Sequence, residues 1–153
     1  MRYHTAAALK GSFDASFPDL RDVKKGEDRM PGRALGELVA QGLQRHGLQA
    51  SGPFDEEPFF VVPCEVEGIK YRILCYILEP GKNPVWAVEC PRTLGLIAKW
   101  RGKSEERELG LVVTAIHEAL THDSRVTEIR WFKDLPLTPF EESKYDTSPV
   151  AIS

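Results

Sequence analysis

The chain has no run of apolar residues near the roughly 20 that a membrane-spanning helix needs, and its start lacks the apolar core of a signal peptide. Basic residues are not in excess either: 20 Lys and Arg against 23 Asp and Glu give a formal net charge of -3 at pH 7. Broad neutralisation of phosphates needs a basic field, so nucleic acid is not an expected partner. Cysteine is scarce, with 3 residues and no CxxC pair. An odd, unpaired set fits a reducing compartment better than a disulfide framework. Together these absences predict a cytoplasmic protein with no membrane partner.

Motifs that bring chemistry with them are missing too. The sequence holds no GxSxG, no P-loop, no GxGxxG after a strand and no DxDxDG. Each is a backbone or side-chain arrangement that a specific phosphate, cation or acyl chemistry demands. The stretch "AIHEALTHD" at 115–123 has the look of a zinc helix. However, HExxH needs its histidines four apart, so that both imidazoles reach one face. His117 and His122 are five apart, about 140° around an ideal helix. A solvated or half-buried His117 is the reading, and neither a metal nor a cofactor is expected.

What is present is one domain's worth of ordinary residues: 153 in all, 42% hydrophobic and 28% charged. That length allows a single real core. Residues 1–33 mix Asp, Lys, Gly and Pro, and are read as a partly ordered arm. Leu35, Leu38, Val39 and Leu43 follow helical spacing before Gly47, which predicts a helix over 34–46. "SGPFDEEP" reads as punctuation. Three strands follow at 59–66, 69–78 and 85–90, the first two joined by the two residues Glu67 and Gly68, as in a tight hairpin.

Pairing Val66 with Ile69 and Ile77 with Trp86 puts Phe60, Val62, Cys64, Tyr71, Ile73, Cys75, Ile77, Trp86, Val88 and Cys90 on one face. Residues 91–103 are a connector, with a helical turn turning Leu94, Ile97 and Trp100 inward. Ser104 is the expected N-cap of a second helix over 105–121, whose stripe is Leu109, Val112, Val113, Ile116 and Leu120. A last strand over 126–132 ends the core domain, 34–132, and 133–153 is a surface or disordered tail. The fold class is α+β: an antiparallel three-strand meander plus a fourth strand, with two helices, in the order α-β-β-β-α-β.

The cysteines share one face, yet no two oppose each other on neighbouring strands. Two strands apart is about 9.5 Å, too far for a disulfide, so Cys64, Cys75 and Cys90 are expected to be buried small hydrophobes. The acidic "DEE" at 55–57 is expected to be a solvated turn. A catalytic site assembled only in three dimensions, with His117, Cys64 or Asp55 as members, is the alternative function.

The second face of the meander carries the most functional information. Phe59, Val61, Leu74, Tyr76 and Leu78 cluster there, with Val85 and Ala87, where a water-facing sheet would alternate more cleanly. The expected covers are the arm through Leu9, Phe13 and Phe17, or the tail through Phe140 and Tyr145. The functional alternative is another protein, a client or a second copy, because large apolar patches mark interaction surfaces. The leading expectation is therefore a non-catalytic protein-binding domain.

The segments "LGELVAQGLQRHGL", "KYRILCYIL", "VWAVECP", "VVTAIHEAL" and "VTEIRW" give this chain a pattern that resembles the bacterial type III secretion chaperone-like fold and related small sensory-regulator proteins. The resemblance implies a homodimer that binds other polypeptides through apolar strands and grooves, without catalysis. It also extends to small bacterial proteins of unknown function whose core ends in an "IRW" strand.

Overall fold

A computed structural model describes residues 2–16, 30–93 and 105–151. Their elements are β1 (Arg2–Tyr3), β2 (Ala6–Gly11), α1 (Arg33–Arg45), β3 (Gln49–Ala50), β4 (Phe54–Glu56), β5 (Phe59–Val66), β6 (Ile69–Glu79), β7 (Val85–Glu89), α2 (Glu106–Thr121), β8 (Val126–Phe132) and β9 (Val150–Ala151). The class is α+β: two helices lie on one face of an antiparallel sheet ordered β3-β5-β6-β7-β2-β8, with β4 following β3 along the same edge of β5.

The central hairpin follows from its turn. Glu67 and Gly68 both have positive φ, 50° and 82°, the backbone of a type I′ turn whose twist matches the flanking strands. Val66 pairs with Ile69, and one strand further on Ile77 pairs with Trp86. The face so defined, from Phe60 through Tyr71 and Ile73 to Trp86 and Val88, is buried under the helices. Helix α1 crosses α2 closely at Gly42, where any Cβ would sit 2.4 Å from that of Ala119. Only a glycine allows that approach.

Several expectations need correction. The order α-β-β-β-α-β omits strands, above all β2, which lies inside the supposed N-terminal arm and is sandwiched between β7 and β8. Ala6, Ala7, Ala8 and Leu9 are all 2% exposed or less. A strand covered on both faces has no alternation to display, only a short apolar run. Leu9 and Phe13 are therefore core residues on the helix side, where Phe13 meets Trp86 edge-on at 5.6 Å. They do not cover the second face, and Phe17 lies outside the described residues.

The supposed punctuation "SGPFDEEP" contains strand β4. Helix α2 begins one residue later than expected, with Glu105 at its N-cap position making no side-chain cap bond. Ser104, Leu94, Ile97 and Trp100 lie outside the described residues.

The tail takes the first of its two expected forms, since residues 133–151 run over the surface and are held there. Asp146 bridges Trp131 through both backbone groups (2.7 and 3.1 Å), and β9 pairs with β1. The His4 Nε2–Asp146 Oδ2 contact of 2.5 Å ties the two chain ends together. Arg130 holds the stretch before it. Its Nη1 is within hydrogen-bond reach of the carbonyls of Pro139, Phe140 and Glu142 at 3.2–3.3 Å, and its guanidinium lies over the Phe140 and Tyr145 rings at 4.8 and 4.0 Å.

Candidate functional site

The sheet's second face, turned away from the helices, is divided in two. Arg130 pairs with Ala8 across the β2–β8 ladder and Lys10 with Glu128, so these side chains share the outer face. Phe140 lies beneath both Arg130 and Lys10, at 4.8 and 4.7 Å. Phe140 of the tail thus lies against the β2–β8 half, whereas the tail is an expected cover for the patch on β5 and β6.

The β4–β6 half is built differently. Alternation along β5 and β6 sends Phe59, Val61, Pro63 and Glu65 outward beside Lys70, Arg72, Leu74 and Tyr76. Phe59 and Tyr76 meet edge-to-face with centroids 5.1 Å apart. Tyr76 donates its hydroxyl hydrogen to Glu89 at 2.7 Å. Burial, helped by that carboxylate, raises the Tyr76 pKa, so the phenol stays neutral and donates. Val61 is buried, whereas Phe59, Leu74, Tyr76 and Leu78 are half-buried. Of the five residues named from sequence, the first four share one surface in register. Leu78 falls where the β6–β7 register shifts between Ile77 and Glu79, so alternation no longer fixes its face.

Beside this patch lies a groove of about 840 Å³ that sequence reasoning missed, lined by Phe54, Val61, Pro63, Glu56, Arg72 and Ser51 of the β3–β4 link. Phe54 is 52% exposed, an unusual state for a large aromatic side chain on a strand. Its signal was the three-residue "FDE", too short to show a period. Arg72 and Glu56 form an ion pair across the groove. Both are well exposed, so the pair is worth little to stability and can open to a ligand at small cost.

The alternative constellation is not brought together. Cys64 is buried on β5, and Asp55 is exposed on β4. His117 accepts a hydrogen bond from Trp131 Nε1 at 3.0 Å, which places it by β8. Four strand spacings separate β5 from β8 in the sheet order. At about 4.8 Å each, that is roughly 19 Å. Burial lowers the His117 pKa, favouring the neutral ring that can accept from Trp131.

His122 instead donates from Nδ1 to the Glu118 carbonyl at 2.8 Å, closing the helix end. All three thiols are free and buried, and burial pushes Cys64 up to about 11, Cys75 up to about 12 and Cys90 higher still. Thiols so shifted are protonated at neutral pH and poor nucleophiles. Among the described residues, no three His, Cys, Asp or Glu side chains are grouped to hold a metal. No described helix is long and apolar enough to cross a membrane.

No family model, curated protein or solved structure matches this chain.

Proposed function

We propose that this chain is a non-catalytic protein-binding domain, a chaperone-like adaptor or a regulatory or immunity-type partner, that receives another polypeptide on the open half of its sheet. The observation that carries this reading is the contrast between the two halves of one face. The tail roofs β2 and β8 through Phe140 and Arg130, while Phe54, Phe59, Leu74 and Tyr76 stay partly exposed beside a groove. Contiguous exposed apolar surface of this kind is where polypeptides associate, because its burial is the chief favourable term in doing so. A client segment or a second copy of the chain both satisfy this reading.

The test uses an array of immobilised peptides of varied composition, probed with the intact chain and with Leu74→Asp and Tyr76→Asp variants. Loss of a Leu-sized anchor is worth about 1.5–3 kcal/mol, so binding to apolar peptides is expected to fall tenfold or more in either variant. The melting temperature should fall modestly with the fold retained, since each new carboxylate faces Glu89. Equal binding by wild type and variants would remove the patch from the interface. Variants that fail to fold would show that these side chains are internal and that the surface assignment is wrong.

A further inference from the structure

Resting on that protein-binding reading, the groove and the edge beside it say what kind of segment fits. We infer that the occupant is an extended, basic polypeptide segment that adds to the free edge of β4 and places an apolar side chain in the groove against Phe54, Val61 and Pro63.

The two edges of the sheet are treated differently by the chain itself. On the β8 edge, Trp131 is already bridged by Asp146. On the other edge, the β3 portion is capped, since Gln44 Nε2 donates to the Ala50 carbonyl at 2.9 Å. Strand β4 pairs with β5 on one side and has no partner strand on the other among the described residues. Its outward backbone groups can therefore take another strand, which supplies affinity through main-chain hydrogen bonds, while a pocket for an alternate side chain supplies selectivity. Phe54 and Glu56 point from β4 to the groove side, so a strand laid along β4 directs every second side chain over the same groove.

Charge decides which strand. Asp55 and Glu56 on β4, and Glu57 in the turn that follows it, are consecutive and exposed. Arg72 offsets Glu56, and the Asp55 carboxylate accepts from the Glu57 backbone N–H at 3.2 Å. Two copies of β4 laid edge to edge would bring these carboxylates together, and like charges at an interface work against association. A segment carrying Lys or Arg between its apolar residues meets the edge with opposite charge.

The test is fluorescence anisotropy with a short labelled peptide that alternates valine with lysine and with its counterpart that alternates valine with glutamate. The protein is intact wild type and a variant carrying Asp55→Lys and Glu57→Lys, which leaves the Glu56–Arg72 pair in place. The lysine peptide is expected to bind wild type saturably and to weaken about tenfold in the variant, while the glutamate peptide gains by a similar factor. Equal affinity of the two peptides, or indifference to the charge reversal, overturns the inference. If apolar peptides bind and Leu74→Asp abolishes them while charge reversal does nothing, face binding stands and edge docking falls. A dimer by light scattering that Phe54→Asp dissociates, with no peptide bound, assigns the groove to a second copy and also overturns it.

Discussion

Deleting residues 1–11 is expected to abolish cooperative folding of the whole chain, although the deletion removes a stretch that reads as an arm. The segment holds β2, whose removal parts β7 from β8 and leaves a ladder edge unpaired on each. Buried backbone groups left without partners each cost about 1–3 kcal/mol. The deletion also empties the space of Ala7 and Leu9 and takes away the Gly11 carbonyl that accepts from Trp86 Nε1 at 2.9 Å. Since domains are stable by only about 5–15 kcal/mol, the sum exceeds what the rest can hold.

The point variant Ala7→Asp should approach the same result. Ala7 is fully buried between Val88 and Trp131, and an uncompensated carboxylate there costs several kcal/mol. Near-ultraviolet circular dichroism and thermal melting report the outcome. A truncated chain that melts cooperatively with its tertiary signal intact would show that β7 and β8 do not need β2.

Trp86→Ala is expected to cost about 3–5 kcal/mol, the range for deleting a buried aromatic side chain. Trp86 is fully buried, pairs with Ile77 on one side and Leu9 on the other, and takes Phe13 edge-on with planes at 84°. Its loss opens a cavity and orphans the Gly11 carbonyl. Equilibrium urea unfolding should show a lower midpoint with an unchanged slope. Trp86→Phe keeps most of the volume and should cost less. A loss under about 1 kcal/mol for Trp86→Ala would mean that the surroundings collapse into the space, contrary to a well-packed β7–β2 junction.

The sequence announces those parts of the fold whose pattern is local. "FFVVPCEV", the Glu67–Gly68 turn and "IKYRILCYIL" carry a period of two and a recognisable turn, so their pairing and inner face are legible. Strand β2 is not, because "AAAL" is buried on both faces and flanked by polar residues, leaving nothing for alternation to reveal. The tail is illegible for another reason. It is held by Arg130, by β1 and by His4, whose contact with Asp146 spans 142 positions. No local pattern encodes such a partner. For the candidate site, Phe59, Val61, Leu74 and Tyr76 could be read from alternation alone. Leu78 could not, since it sits at a bulge, and Phe54 was hidden in a stretch dense with turn residues.

The claim that the open half of the sheet engages a polypeptide is tested most directly by mapping where one binds. Isotope-labelled protein titrated with the tightest arrayed peptide should show amide shifts concentrated on β4, β5 and β6, centred on Phe54, Phe59, Leu74 and Tyr76. Shifts gathered instead around Arg130 and Phe140, or on α1 and α2, with β4–β6 unmoved, would contradict it.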